Sequence, residues 1–347
     1  MEIELKYNPE RGVYMLNGFR VILLPSGGLE SIQEAVNSIL GLATKSIFED
    51  SMAVTTYSLL LDLINSKKLK RHGEERMEAE IFDLFNSMGF GYINIYRNDG
   101  RGFSVIRVSK NFNSILGLMK SYNYCFQSLG QMASIFRVVF GKNASVEETH
   151  CKSTGDSDTD TFNISIKEES GEYAYIPSQK EQLFPGEYSK VEIKRFNNSV
   201  LVNDIPVEIV PVGFFPYLFG KLHGIVGQGV YGIENSMGRA ISRIYDDSAF
   251  ERISSEYAVE GFEMLSPLMG IGKVTVEKGE LGSTKSINID DDFNSLHIDN
   301  NIEKRCFLTA SLLSGLSFRL SGSTMNIKET ACSAENNGSC VFGFGGE

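Results

Sequence analysis

The feature that most constrains this chain is that it is written twice. SMGFGYINIYR, from Ser87, returns as PLMGIGKVTVEK, with 181 residues separating Met88 from Met269. The same separation carries FNSIL, from Phe112, onto FNSLH, from Phe293. It also carries Cys125, Glu148 and Cys151 onto Cys306, Glu329 and Cys332. Ungapped agreement over about 60 residues is the signature of an internal repeat. Earlier the separation widens, to 185 between FEDSM (from Phe48) and IENSM (from Ile233), and to 186 between Pro25 and Pro211. The first copy therefore holds about five extra residues between Met52 and Met88, and the charged run KKLKRHGEER is the natural place for them.

The boundaries that follow are a first domain over 1–168, a linker over 169–186 and a second domain over 187–347. The linker ESGEYAYIPSQKEQLFPG is polar and carries two prolines. Each copy opens on a hairpin, VYML–FRVILLP in one and SVLVND–VEIVP in the other. A helix follows: LESIQEAVNSILGLATKSIF sets Leu29, Ile32, Val36, Ile39, Leu40 and Ala43 on one face. A second helix around MAVTTYSLLLDLI is mirrored by MGRAISRIYDD. The amphipathic segment MEAEIFDLFNSMG then leads into alternating strands, YINIYR and FSVIRVS, or KVTVEK and KSINID. A further helix holds the first cysteine of each copy, and the last strands carry the Glu–Cys motif. Strands in consecutive hairpins imply antiparallel sheets with helices packed on them, an α+β class.

Charge and hydropathy remove several functions. A net charge of −11 opposes broad nucleic-acid binding, which needs a positive surface. The basic run KKLKR reads as a solvated loop. VGFFPYLFGKLHGIVGQGVYGI, broken by Pro216, Lys221, His223 and Gln228, reads as a buried helix rather than a membrane span. The opening MEIELKYNPERG lacks the apolar core of a signal peptide. Five cysteines without an export signal suggest a reducing, cytoplasmic setting, where grouped cysteines are more often metal ligands than disulfides.

All five cysteines obey the repeat. Cys306, Glu329, Cys332 and Cys340 combine three sulfurs and one carboxylate, a donor set that suits four-coordinate Zn²⁺. Glu329 and Cys332 are three apart, which on a straight strand points them to opposite faces, so a bulge is needed to aim both at one ion. Asn336, Asn337 and Gly338 would return the chain to Cys340. The first copy keeps Cys125, Glu148 and Cys151, with Asp160 at the fourth position; His150 and Asp158 are nearby alternatives, and a decayed site is a further one.

The pattern CFLTASLLSGLSFRL…ETACSAENNGSCVF resembles the closing third of the vinyl-4-reductase (4VR) domain. That domain also serves as the sensory module of phenol- and xylene-responsive activators, and its fold is shared with small TRAPP subunits. The resemblance implies that Cys306, Glu329, Cys332 and Cys340 hold structural zinc. It also implies an apolar pocket for a small hydrophobic or aromatic ligand, and a tandem chain that folds as its own pseudo-dimer. Members of the family are better regarded as ligand-binding adaptors than as enzymes, and any signalling output would need a protein partner. A scaffold role in the manner of TRAPP subunits is the alternative, with a tetrapyrrole vinyl reductase component ranked last.

Enzyme machinery is thin. There is no phosphate-binding loop, and MGFGY and MGIGK are too short for a dinucleotide fingerprint. A four-ligand zinc site leaves no open position for water, which makes it structural. Phe214, Phe215, Phe219 and His223 are candidates for a pocket wall, although core packing is the commoner use of such aromatics. His72 lies in the charged loop and His297 follows FNSL.

Overall fold

The computed structural model describes residues 3–344 except 71–72, 99–102, 110–124, 155–156, 167–172, 197–198, 245–259, 279–283, 296–305, 322–324 and 334–338. His72, His297, FNSIL and the Asn336–Gly338 turn lie outside the described residues. The first half runs β1 (Leu5–Asn8), β2 (Val13–Leu16), β3 (Phe19–Pro25), α1 (Gly28–Leu40), α2 (Thr44–Asn65), α3 (Glu74–Ser87), β4 (Tyr92–Asn98), β5 (Phe103–Ser109), α4 (Phe126–Phe140), β6 (Ala144–His150) and β7 (Asp160–Ile166). The second runs β8 (Ser189–Val191), β9 (Ile193–Phe196), β10 (Ser199–Val202), β11 (Ile205–Pro211), α5 (Phe214–Val226), α6 (Val230–Ile244), α7 (Leu265–Met269), β12 (Lys273–Lys278), β13 (Thr284–Asp290), α8 (Phe307–Ser321), β14 (Ile327–Ala331) and β15 (Cys340–Phe344).

The described architecture is α+β, and its sheet pairings are antiparallel. Two four-stranded sheets share one order, β4-β5-β7-β6 and β12-β13-β15-β14. The third sheet draws on both halves, in the order β8-β1-β2-β3-β11-β10-β9. Its middle is the β3–β11 pair, in which Ile22 faces Val210 and Leu23 faces Ile209. Residues Val21–Leu24 and Val207–Val210 are buried, as strands covered on both faces require, and Glu208, the one charged group in the two runs, accepts the Gly27 and Leu29 N–H groups at the start of α1.

The two halves interlock. Tyr14, on the first hairpin, donates its hydroxyl to the Pro267 carbonyl of α7 at 2.5 Å. In the reciprocal contact the Ile209 N–H bonds the Met88 carbonyl beyond α3 at 2.7 Å. The first helices also cross over, α1 packing on α6 and α5 on α2. Gly89 (φ 88) and Gly270 (φ 72) occupy equivalent places and touch the opposite hairpin. A Cβ at Gly89 would stand 2.6 Å from the Val207 carbonyl, and one at Gly270 2.6 Å from the Tyr14 ring. Left-handed backbone and close approach both demand glycine there.

Two local readings are corrected. The helix expected over 29–48 stops at Leu40, because Gly41 (φ 56) cannot continue it and a 3₁₀ turn over Gly41–Ala43 intervenes before α2. Ile39 is consequently 51% exposed and Ala43 exposed, while Leu29, Ile32 and Val36 are buried. Gly227 (φ 56) breaks VGFFPYLFGKLHGIVGQGVYGI in the same way into α5 and α6, and the end of α5 is exposed, with Ile225 at 57%. The segment from Tyr173 to Lys180 is tied down: the Ile176 N–H reaches Ser58 Oγ at 2.9 Å and the Ser178 N–H reaches Asp62 Oδ2 at 3.0 Å.

Within each half the second helix packs on the helix that follows the first cysteine, and small residues set the approach. A Cβ at Gly130 of α4 would meet the Glu49 carbonyl and stand 2.9 Å from the Ala53 nitrogen of α2. In the second half the small residue has changed sides: Gly238 takes the place of Ala53, and Ser311 that of Gly130, with Ser311 Oγ donating to the Glu234 carbonyl at 3.2 Å. Gly130→Ala should therefore destabilise the protein by about 1–3 kcal/mol, because backbone rather than a flexible side chain must yield. Adding Ala53→Gly should recover part of that loss in urea unfolding.

Candidate metal centre

Cys125 and Cys306 do not sit within helices, as their sequence context suggested, but immediately precede α4 and α8. There the first backbone N–H groups of a helix lack internal partners. The Cys306 N–H donates to Glu329 Oε2 at 3.1 Å, and the Cys125 N–H to Glu148 Oε2 at 2.7 Å. Each glutamate therefore anchors a helix start while its carboxylate faces the sulfurs.

The strand irregularity needed to aim Glu and Cys at one point is present in both halves. The β14–β15 register shifts between Glu329 and Ala331, and the β6–β7 register between Glu148 and His150. A threonine sits at each shift: Thr330 Oγ1 donates to the Val341 carbonyl at 3.1 Å, and Thr149 Oγ1 to the Thr161 carbonyl at 3.3 Å. One extra residue on the bulged strand restores both side chains to the same face.

The result is two buried clusters. The donor atoms of Cys306, Glu329, Cys332 and Cys340 lie within 4.8 Å of one another, as do those of Cys125, Glu148, Cys151 and Asp160. Cys306 Sγ is 3.8 Å from Cys332 Sγ and 3.4 Å from Cys340 Sγ; Cys125 Sγ is 3.9 Å from Cys151 Sγ. A tetrahedral zinc with sulfur at about 2.3 Å places its sulfurs roughly 3.8 Å apart, so the spacing fits the edges of such a tetrahedron. None of the five cysteines is joined to another in a disulfide. Of the three oxygen or nitrogen donors open at the first-half site, the fold turns Asp160 inward, fully buried, and leaves Asp158 and His150 exposed.

Burial sets the electrostatics of both clusters. Burial pushes the Cys125 and Cys306 thiols well above their ordinary value. Burial also lifts the Glu148 carboxyl to about 9 and that of Glu329 to about 7. Glu148 Oε1 is buried with no hydrogen-bond partner among the described residues. Without a cation these buried groups hold their protons, and a divalent ion would invert that preference by holding thiolates and carboxylates ionised. The residues present therefore fit zinc in both halves, with S₃O donors in the second and S₂O₂ in the first.

Sequence reasoning missed supporting groups around these donors. The Ser333 N–H lies 3.3 Å from Cys340 Sγ and the Ser333 hydroxyl 3.2 Å from it. In the first half the Lys152 N–H takes the equivalent place, 2.7 Å from Asp160 Oδ1. The only sequence signal is position, one residue after the second cysteine. Buried Asp292, bonded by Thr309 Oγ1 at 3.1 Å, has no counterpart in the motif.

The suggested pocket residues lie elsewhere. Phe214, Phe215 and Phe219 are buried, with Phe215 set edge-on against Phe214 (5.3 Å between ring centres) and Phe293 (5.2 Å). Phe214 also meets Phe48 across the halves at 6.3 Å. His223 is half-buried in the last turn of α5. A cavity of about 10 Å³, the size of a water molecule, lies between Phe19, Leu59, Ile176 and Val212. No described helix is long and apolar enough to cross a membrane.

No family model matches the chain, and no curated protein matches its sequence. Among solved structures, the phenol-responsive sensory domain of the transcription activator PoxR with phenol is similar at 15% identity and a TM-score of 0.37. That match covers 44% of this chain and 80% of the sensory domain. Trafficking protein particle complex subunit 3 from Naegleria fowleri, covalently bound to palmitic acid, is similar at 14% identity and a TM-score of 0.32. It covers 42% of this chain and 98% of the subunit.

Proposed function

We propose that this chain is a non-catalytic adaptor made of two 4VR-type halves joined as an intrachain pseudo-dimer, each half pinned by one structural zinc. The observation that carries the reading is the repeated cluster of four buried donors, Cys306–Glu329–Cys332–Cys340 and Cys125–Glu148–Cys151–Asp160. Zinc bound there would fasten the start of α4 or α8 to the bulge and the last strand of the same half. With four protein ligands it would be a staple rather than a Lewis acid for a substrate.

The adaptor reading is favoured over storage of a small hydrophobic molecule by the packing of Phe214, Phe215 and Phe219. These rings pack against one another and against Phe48 and Phe293. A hydrophobic ligand seated among these rings would have to displace them. Native mass spectrometry of the purified chain separates the two: the adaptor should carry metal alone, whereas a stoichiometric organic molecule of a few hundred daltons would establish the ligand-binding sensor instead.

A further inference from the structure

The two clusters differ in what stands behind them. Three consecutive acids, Asp290, Asp291 and Asp292, end β13 and begin the loop that follows it. In the β13–β15 register Ile289 pairs with Cys340, and the Ser339 hydroxyl donates to Asp290 Oδ1. Asp292 is fully buried and accepts the Thr309 hydroxyl at 3.1 Å. Thr309 lies in the first turn of α8, three residues after Cys306. Asp290 and Asp292 thus hold the two segments that deliver Cys340 and Cys306, and the Asp292 charge acts on both sulfurs.

Asp291, between them, reaches the other half. Its backbone is left-handed (φ 56), a conformation Asp tolerates better than most residues but keeps only where its surroundings hold it. Its carbonyl accepts the Arg20 guanidinium, and its carboxylate accepts that of Arg11 at 3.2 Å. The charges of Asp291 and Asp292 both act on Arg20. One short loop therefore bonds the cysteine-bearing segments of the second half on one side and the opening strands of the first half on the other.

The repeat carries this connection once. At the separation of 181, the three acids correspond to Ser109, Lys110 and Asn111, and at 186 Arg20 corresponds to Pro206. Those positions hold neither a carboxylate nor a guanidinium.

We infer that Asp290–Asp292 couple metal occupancy of the second centre to the junction between the halves. Metal held by Cys306 and Cys340 fixes the segments that Asp290 and Asp292 bond, and so keeps Asp291 presented to Arg20. By linkage the Arg20 contact favours metal binding there by the same factor. Metal loss at this centre loosens the junction, and metal at the first centre does not act on Arg20. The inference rests on the structural-metal reading for the occupant, and on the contacts of the loop for the link.

The test loads the full chain with cadmium and follows both centres by cadmium NMR during equilibrium titration with EDTA. The three-sulfur centre should resonate downfield of the two-sulfur centre, because each added sulfur deshields the metal. In Arg20→Lys the downfield signal should disappear at about tenfold lower EDTA than in the parent, with the upfield signal unmoved. The unmoved signal also verifies that the variant is folded. Thr309→Val, which removes the bond to Asp292 with little change in shape, should weaken the same signal alone. A downfield signal in Arg20→Lys as resistant as that of the parent, or two signals weakened alike, would overturn the coupling and leave the staple standing. A chain that takes up no cadmium would overturn the staple and the coupling together.

Discussion

Cys306→Ser should be isolated with one zinc fewer per chain and should unfold far more easily than the parent, by roughly 4–5 kcal/mol. Cys306 is the donor on which the second cluster turns: its sulfur faces both other sulfurs, and its N–H holds the Glu329 carboxylate. Serine keeps the N–H contact but removes a thiolate from a centre with only four ligands. The remaining sulfurs and carboxylate are then buried without a full charge partner, and a structural site that cannot close returns its binding energy as lost folding energy. Cys340→Asp should behave differently, because it recreates the S₂O₂ set of the first half. Zinc should stay bound, and stability should fall less than in Cys306→Ser. Metal content with chemical unfolding checks both variants, and equal stability of parent and Cys306→Ser would remove the staple.

Arg20→Leu is expected to have the second-largest effect, about 3–5 kcal/mol, because it breaks a buried charged network rather than a surface pair. Arg20 is fully buried on β3. Its guanidinium donates to Gln179 Oε1 at 3.0 Å and to the Asp291 carbonyl of the opposite half, and it lies 5.0 Å over the Phe184 ring. Burial lowers its pKa to about 10, with Asp291 and Asp292 opposing the shift, so the side chain stays charged at neutral pH. Three segments therefore meet at one side chain: the first hairpin, the connecting segment and the loop after β13. Lysine should recover only part of the loss, since a single ammonium cannot reproduce the planar fork that spans two acceptors. Urea unfolding of Arg20→Leu and Arg20→Lys orders the two, and an Arg20→Leu chain as stable as the parent would show that the halves hold together without this tie.

The clusters were legible because spacing repeats. One Cys–Glu–Cys run is ambiguous, but two copies with the same types at separations of 23 and three leave few explanations, and the three-residue step required the bulge that both strands contain. Asp160 was harder to separate from Asp158 and His150, because composition does not say which side chain a strand turns inward. Its position two before buried Phe162 on β7 places both on one face, a rule of strand alternation that could have favoured it. The crossing-over of the halves left no trace in periodicity. Apolar β3 satisfies its pattern against any apolar neighbour, and nothing in Val21–Leu24 specifies Val207–Val210 as that neighbour. Phe214 and Phe215 were similarly silent, since an aromatic lining a pocket and one filling a core have the same local sequence.

Zinc K-edge X-ray absorption of the protein as purified bears most directly on the paired centres. With S₃O in one half and S₂O₂ in the other, the averaged shell should hold about 2.5 sulfurs near 2.3 Å and about 1.5 oxygens near 2.0 Å, at two zinc per chain. A chain without bound metal, or zinc surrounded by light atoms alone, would contradict the account.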